Sequence, residues 1–157
     1  MHDHAAMARV EGTTIRPWQG GDREEVQGLL RLLSQDALVS SEDAPTYVAE
    51  RDGRVVGIVT LCVFRTLTGP KAYLDHLVVA PDCRRRGIGR ALVEFAIEQA
   101  RAAGASRIDL TANSGKQAGR SLYTALGFQE RDTASFRLKL TEPDHREGPL
   151  GLHRLGS

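Results

Sequence analysis

The fold is decided by one short run of residues, Arg84-Arg85-Arg86-Gly87-Ile88-Gly89-Arg90. It follows an apolar, strand-like segment, 72–79, and opens the strongest helical pattern in the chain, 87–103. A helix start presents unpaired backbone N–H groups and the positive end of the helix dipole. Glycines let a backbone approach an anion closely and arginines add charge, so the run predicts a binding site for a pyrophosphate.

Three other interpretations of this run were weighed against a pyrophosphate site. The dinucleotide fingerprint Gly-x-Gly-x-x-Gly fails because its third glycine would fall at Leu92, although Asp109 does lie about 20 residues further on. A nucleic-acid site is disfavoured by a balanced charge, 21 Lys and Arg against 20 Asp and Glu, and by a lack of evident exposed aromatic residues. A solvated basic turn without a ligand stays open if the run is considered alone.

Strand-like segments surround the run. They are predicted at 13–17, 46–50, 55–64, 72–79, 106–111 and 136–140. Asp52-Gly53 is a strong hairpin signal, and Thr68-Gly69-Pro70 turns the chain again, so the second, third and fourth strands should be antiparallel neighbours. The fourth and fifth strands flank a long helix and should therefore be parallel, as in a βαβ unit.

Two helices are predicted besides 87–103. Asp22 followed by Glu25 indicates a capping box at the start of one, and Ser114 followed by Gln117 indicates another at the start of the last helix. Strands that precede, separate and follow a few helices give an α/β or α+β layered domain with a mixed sheet.

Composition limits the class of protein. The chain has 157 residues, 41% hydrophobic and 26% charged, which indicates a single soluble domain. Cys62 and Cys83 lack metal-ligand spacing, so we expect free thiols and no metal. No apolar run approaches the ~20 residues of a membrane span, and no signal peptide is evident. We expect a cytoplasmic domain at 12–141, between a disordered tail at 1–11 and a loose tail at 142–157, with neither nucleic acid nor membrane as a partner.

Two motifs occur in order in the second half of the chain. The first is Arg-x-x-Gly-x-Gly at Arg84, Gly87 and Gly89, and the second is Leu122-Tyr123-Thr124-Ala125-Leu126-Gly127-Phe128. Together, at this separation, they resemble the GNAT superfamily of N-acetyltransferases over roughly 13–140. The resemblance implies a single-domain, strongly bent mixed β-sheet flanked by helices. It also implies that the sheet splays between 72–79 and 106–111, with the pantetheine arm of acetyl-coenzyme A (acetyl-CoA) in the opening.

The resemblance also implies the chemistry. Acetyl-CoA would be the acyl donor, and a primary amine, expected to be a small molecule, would attack it directly in a ternary complex. The residues expected to hold acetyl-CoA are either backbone donors of the central strand or lie at the two helix starts. They are Leu77, Val78, Val79, Arg84, Arg85, Arg86, Gly87, Ile88, Gly89, Arg90, Asn113 and Lys116.

The motif of the last helix departs from the family at two positions. Lys116 stands where the family often has Asn, and Gly119 stands where Ala is common. Asn113 lies three places from the expected asparagine. Contacts of this helix with the cofactor are therefore less well defined than those of the run at 84–90.

Tyr123 is the candidate proton donor to the leaving thiolate. The matching tyrosine has this role in many relatives, and a phenol pKa of about 10 keeps the hydroxyl protonated at neutral pH. The alternative is a tyrosine that only packs in the core, with its hydroxyl bonded to the backbone.

Asp75 is the candidate general base. A carboxylate within an otherwise apolar strand is costly unless it has a partner or a task, and several relatives carry Glu, Asp or His at this position. The alternative is an Asp that pairs with a loop arginine or orients substrate. His76 faces away from Asp75 if the strand alternates strictly, which favours a structural role unless a bulge interrupts the strand.

The acceptor is not determined by the sequence. A peptide acetyltransferase is one alternative, with a groove formed by 22–45 and the chain near 133, where Ser40-Ser41-Glu42-Asp43 would supply acidity. A module that senses acetyl-CoA without turnover is another. The resemblance makes a homodimer plausible, although no sequence feature indicates one.

Overall fold

The fold is built on a mixed six-stranded sheet whose strands lie side by side in the order in which they occur along the chain. The computed structural model describes residues 7–40, 45–112 and 117–141. The strands are β1 (Ala8–Val10), β2 (Thr13–Pro17), β3 (Thr46–Arg51), β4 (Arg54–Thr66), β5 (Gly69–Val79) and β6 (Ile108–Asp109). The helices are α1 (Arg23–Leu30), α2 (Ile88–Ala102) and α3 (Gln117–Ala125). The predicted fold class, a mixed sheet flanked by helices, is confirmed.

Strands β1 to β5 pair antiparallel with their neighbours, and β5 pairs parallel with β6. The parallel pairing is confined to Ala72 with Ile108 and Tyr73 with Asp109. Within the described part of the chain, residues 74–79 of β5 therefore have β4 on one side and no strand on the other. The sheet opens where the sequence predicts that it splays.

The helices α1 and α2 cover opposite faces of the sheet. Val26 and Leu29 of α1 pack in one core with Ile58, whereas Leu92 of α2 packs in another core with Val59. Successive residues of a strand point to opposite faces, so these two adjacent β4 residues separate an α1 face from an α2 face.

Gly57 allows α2 to approach the sheet closely. A Cβ at this position would lie 2.9 Å from Leu92 Cδ1 and 3.3 Å from the Val78 carbonyl oxygen. Leu92 has no solvent exposure, so it has little room to move away. The absence of a side chain at Gly57 thus fixes how deeply α2, and the loop before it, sits on the sheet.

Two predicted elements differ in the structure. Ala8–Val10, expected to be part of a disordered tail, form β1 because their backbone pairs with β2. Residues 136–140, expected to be a strand, carry no assigned strand, and Phe136, Leu138 and Leu140 are 92%, 81% and 88% exposed. Their alternation suits a strand, but a strand also needs a neighbouring backbone as a partner. The predicted run 106–111 is shorter than expected, with only Ile108–Asp109 paired.

The capping box predicted at Asp22 and Glu25 is also wrong. The Asp22 carboxylate accepts hydrogen bonds from Arg16 at 2.8 and 3.0 Å and from the Gln19 N–H at 2.8 Å. Glu25 accepts from the Val55 N–H at 2.8 Å. Both carboxylates tether α1 to the sheet, because stronger charged and backbone partners compete with the helix end for them. The second predicted box begins at Ser114, which lies outside the described residues.

Candidate active site

A β-bulge interrupts β5 at the open edge of the sheet. Between the pairs Ile58–Val78 and Thr60–Asp75, β4 has one residue and β5 has two. His76 is one of the two, and its φ of +48° lies in the left-handed region, which is uncommon for a residue with a side chain. The sequence carries no glycine here to signal the irregularity, so the bulge is a feature that alternation alone does not predict.

The bulge changes which side chains share a face. Leu74 and Leu77 both pack in the α2 core, although strict alternation would put them on opposite faces. Val78 packs in the α1 core. Strict alternation, which would group Asp75 with Leu77, therefore fails beyond Asp75, because the extra residue of the bulge reverses it.

Asp75 and His76 are brought together by this geometry. Asp75 Oδ1 accepts a hydrogen bond from the His76 backbone N–H at 2.8 Å, and Asp75 Oδ2 lies 3.6 Å from His76 Nε2. Both side chains are about half exposed, at 52% and 47%. The prediction that His76 faces away from Asp75 is wrong, and the two side chains form a carboxylate–imidazole pair that becomes an ion pair when the imidazole is protonated.

Tyr123 lies on α3, where the helix end fixes its ring. Gly127 ends the helix with a φ of +95°, and the Phe128 N–H donates to the Tyr123 carbonyl at 3.0 Å. This turn sets the Phe128 ring edge-on to Tyr123, with 5.7 Å between ring centroids. Burial, and then the negative charge of Asp75, raise the pKa of Tyr123 above its ordinary value. Asp75 is thus near enough for its charge to act on the phenol, which stays protonated at neutral pH.

The run at 84–90 forms the turn between β5 and α2. Arg85 and Gly87 have φ angles of +63° and +76°, and Gly87 is the residue before α2. No side chain caps this helix start. Arg84 Nε donates to the Val79 carbonyl at 3.2 Å, which ties the turn to the end of β5. The N–H groups of a helix start, beside the exposed side chain of Arg85, are groups that suit an anion, and the anion site at this turn stays a prediction.

The remaining residues of the run differ in whether their side chain or only their backbone can contact a ligand. Arg86 is exposed, whereas Ile88 is buried in the α2 core and can contribute only its backbone. Gly89 lies against Val79, where a Cβ would be 3.6 Å from Val79 Cγ2. Arg90 Nε donates to Glu94 at 2.8 Å, so its charge is shared within α2.

A second part of the predicted cofactor site is the backbone of Leu77, Val78 and Val79. Val78 and Val79 pair with Ile58 and Gly57 of β4 on one side. Alternate N–H and C=O groups of a strand point to opposite sides, so part of this backbone faces the open edge. The opening and the anion site are contiguous, which fits an extended ligand with a phosphate-bearing end. The other two predicted residues, Asn113 and Lys116, lie outside the described residues.

A cavity of about 180 Å³ lies on the α1 face, beside the bulge. Its walls come from α1, the loop after it, β3, β4 and the His76 side chain. Two buried threonines, Thr46 and Thr60, belong to the lining, and their hydroxyls are hydrogen-bonded to each other at 3.1 Å. The walls from α1 and its loop belong to 22–45, the segment expected to form an acceptor groove, whereas the walls from β3, β4 and His76 converge on it only after the chain has folded.

Neither cysteine lies in position for chemistry at this site. Cys62 and Cys83 are free, as predicted, and Cys83 is buried with its sulfur 3.3 Å from an Arg54 nitrogen. Arg54 also pairs with Asp82 at 2.7 Å, which lowers the pKa of that carboxyl.

Over residues 7–40, 45–112 and 117–141, no group of His, Cys, Asp and Glu is arranged to hold a metal ion. The same residues include no helix with the length and apolar character needed to cross a membrane.

Comparisons with known proteins agree with the fold. Residues 11–128 match the Acetyltransferase (GNAT) family. N-acetyltransferase family 8 member 3 of Rattus norvegicus is 35% identical over 94 residues, which cover 59% of this chain and 41% of the relative. The chain thus spans about two fifths of that relative's length.

Solved structures of acetyltransferases are similar over most of the chain. Ribosomal-protein-alanine N-acetyltransferase from Brucella melitensis biovar Abortus 2308 has a TM-score of 0.69 at 26% identity, covering 81% of this chain and 98% of that one. Aminoglycoside N-acetyltransferase AAC(6')-Iy, solved in complex with CoA, has a TM-score of 0.69 at 17% identity, covering 89% of this chain and 100% of that one. The family match spans three quarters of the sequence, so the chain belongs to the acetyltransferase (GNAT) family.

Proposed function

We propose that this chain is an enzyme that transfers the acetyl group of acetyl-CoA to a primary amine, in a complex that holds both reactants. One observation carries the proposal: an uncapped helix start with exposed arginines is contiguous with the open edge of β5, and Asp75, His76 and Tyr123 lie at that edge. An anion site alone would suit many ligands. An anion site beside an opening that holds a proton donor and a proton acceptor suits thioester aminolysis.

Acetyl-CoA is the donor that this arrangement fits. Its pyrophosphate would accept hydrogen bonds from the backbone at Gly87–Gly89, and Arg85 would supply charge. Its pantetheine arm would lie along the free edge of β5 at Leu77–Val79. CoA bound to the structurally similar aminoglycoside N-acetyltransferase supports this choice of ligand.

The chemistry requires one bond to form and one to break. The nitrogen of the neutral amine attacks the thioester carbonyl, so a C–N bond forms and the C–S bond breaks. The ammonium proton leaves to a base, and the thiolate takes a proton from the Tyr123 hydroxyl. The raised pKa of Tyr123 keeps the phenol protonated at neutral pH, so the hydroxyl has a proton to donate.

His76 is the base that the geometry favours, with Asp75 as its partner. Its imidazole lines the cavity beside the bulge, where an amine would bind, and a neutral imidazole nitrogen can accept a proton. The Asp75 carboxylate at 3.6 Å stabilises the imidazolium once the proton has been taken. This assignment moves the proton-accepting role from Asp75, the residue favoured by the sequence, to its neighbour.

A small-molecule acceptor is preferred over a peptide because the cavity beside His76 is compact, at about 180 Å³. The similarity to a ribosomal-protein-alanine N-acetyltransferase keeps peptide amino termini as the second candidate. A peptide would be held mainly outside the cavity, so an alanyl peptide and small amines should differ in their Michaelis constants.

The test combines binding with turnover. We expect acetyl-CoA to raise the melting temperature, and a screen of alkylamines, polyamines, amino acids, aminoglycosides and an alanyl peptide to release free thiol with at least one amine. Mass spectrometry of that amine should show the acetylated product. Stabilisation by acetyl-CoA without thiol release from any amine would instead support a sensor module, and no stabilisation would contradict the assignment of the anion site.

A further inference from the structure

Seven of the eleven described residues that line the cavity on the α1 face are apolar. Among its described lining residues there is no Asp, Glu, Lys or Arg, and His76 is the only titratable side chain. The apolar walls come from Trp18, Val26, Leu30, Val39 and Ile58, with Leu38 at the rim, where it is 69% exposed. A cationic group other than the reacting amine would lose hydration against these apolar side chains, and the described lining would offer it no carboxylate.

Four of the described lining residues have polar side chains: Ser40, Thr46, Thr60 and His76. The hydroxyls of Thr46 and Thr60 bond to each other at 3.1 Å, and both side chains are buried. Part of their hydrogen-bonding capacity is therefore used within the protein. His76 is the one imidazole of the described lining.

Two hydrogen bonds from α1 hold the loop that forms one wall of the cavity. Gln27 of α1 donates to the Ala37 carbonyl at 2.6 Å and accepts from the Val39 N–H at 2.8 Å, which holds the loop over the cavity. Its volume of about 180 Å³ slightly exceeds the roughly 150 Å³ of an apolar protein cavity that takes up benzene. An apolar group of about six carbon atoms fits this space.

We propose that this cavity selects the acceptor, and that the acceptor is a primary amine whose amino group is carried by a compact apolar group of about five or six carbon atoms. The proposal rests on the proposed function and specifies its substrate class. The apolar group fills the space between α1 and the sheet, and the amino group lies at His76. Polyamines and aminoglycosides are poor acceptors, since their further charges meet no carboxylate among the described lining residues.

A matched pair of amines tests this directly. Pentylamine and butane-1,4-diamine have the same chain length, but a methyl group in the first replaces an ammonium group in the second. From ethylamine to pentylamine, kcat/KM should rise about fourfold for each methylene, and the diamine should fall well below pentylamine. A flat series, or a diamine as good as pentylamine, would overturn the proposal.

Binding is measured without turnover through Trp18, the one tryptophan of the chain. Because Trp18 lines the cavity, pentylamine should change its fluorescence saturably, whereas butane-1,4-diamine should not. A fluorescence response without thiol release from any amine would keep the cavity assignment and contradict the proposed function. Thiol release without chain-length dependence and without a fluorescence response would keep the proposed function and contradict the cavity assignment.

A charge introduced at the rim should reverse the preference. Leu38→Glu adds a carboxylate to the cavity at a largely exposed position, so the ratio of kcat/KM for pentylamine to that for the diamine should fall about tenfold or more. Leu67→Glu, at a fully exposed residue between β4 and β5 that does not line the cavity, is the matched control and should leave the ratio unchanged. If both variants melt like the parent chain and their ratios agree, the cavity does not select the acceptor.

Discussion

The two faces of the sheet are built by different means. On the α2 face a long helix packs closely because Gly57 has no side chain, and the core there is continuous from Ile15 to Ala100. On the α1 face a helix of eight residues is held by ion pairs and side-chain hydrogen bonds, and a cavity remains under it.

This difference between the faces matches the needs of the two proposed ligands, the acyl donor and the amine acceptor. The α2 face fixes the anion site, which requires only a rigid helix start and backbone donors, so regular packing is sufficient. The α1 face surrounds the proposed acceptor and leaves space for it, so polar tethers supplement the packing of Val26 and Leu29 there. We infer that the donor side is constrained by geometry shared by many proteins, while the acceptor side is individual to this chain.

The largest expected effect concerns Tyr123, next to the open edge of β5. Tyr123→Phe removes the proton donor to the thiolate, so kcat should fall about 100-fold, with little change in the Michaelis constant for acetyl-CoA. Steady-state thiol release measures both constants. Tyr73→Phe removes a hydroxyl whose hydrogen-bond partner among the described residues is Thr111 at 3.0 Å, and it should retain most of the activity. Full activity of Tyr123→Phe would mean that the phenol is only structural.

The next effect concerns the polar tethers of the α1 face. The hydrogen-bonded Arg16 guanidinium lowers the pKa of Asp22, whose side chain is 10% exposed. Asp22→Asn should lower the free energy of unfolding by about 2 kcal/mol at neutral pH, because Arg16 then keeps only Glu50 as a charged partner. Urea denaturation measures this loss.

The same tether should be sensitive to acid. A carboxyl whose pKa is lower in the folded chain stabilises it above the unfolded pKa of about 3.9, and this contribution disappears as the pH falls toward the folded pKa. The difference between the parent chain and Asp22→Asn should therefore shrink below about pH 5. A difference that is constant with pH would show that the ion pair is not responsible for the stability.

A smaller loss of stability is expected from disturbing the packing of the α2 face, and a glycine substitution in α1 that should raise stability is its control. Gly57→Ala forces a methyl group against Leu92, so we expect a loss of about 1.5 kcal/mol. Gly28→Ala, in α1, meets no atom within 4 Å and should raise stability by about 0.5–1 kcal/mol. Thermal unfolding of the two variants compares the faces. If Gly57→Ala is neutral, α2 is not packed as closely as described.

The smallest effect is expected at the anion site. Replacing Arg85 and Arg86 by Ser removes two exposed charges, so the dissociation constant for CoA should rise about fivefold, and less at high salt. The same substitution of Arg101, which lies at the far end of α2 and pairs with Glu98, is the control. Equal effects per charge removed at both ends of the helix would indicate a response to net charge rather than a phosphate site.

The donor side was largely predictable from sequence. Glycines at 87 and 89, a basic run and a long periodic helix are local signals, so the run at 84–90 and the ends of α2 could be predicted without knowledge of the rest of the chain. The opening of the sheet followed from the resemblance to the family and not from the residues themselves.

The acceptor side was not predictable, because its features depend on distant partners. Alternation gives the wrong face for His76, since the bulge arises from the register of β5 against β4. Local spacing gives the wrong partner for Asp22, since Arg16 reaches its carboxylate from β2. Alternating apolar residues at 136–140 predict a strand, but no pattern within the segment supplies the neighbour that a strand requires.

The central claim is that donor and acceptor are bound at the same time, with the donor at the α2 helix start and the acceptor on the α1 face. Initial rates measured while acetyl-CoA and the best amine of the screen are both varied test it most directly. Double-reciprocal lines that intersect are expected for direct attack in a ternary complex. Parallel lines, together with an acetylated form of the chain in mass spectra, would contradict it.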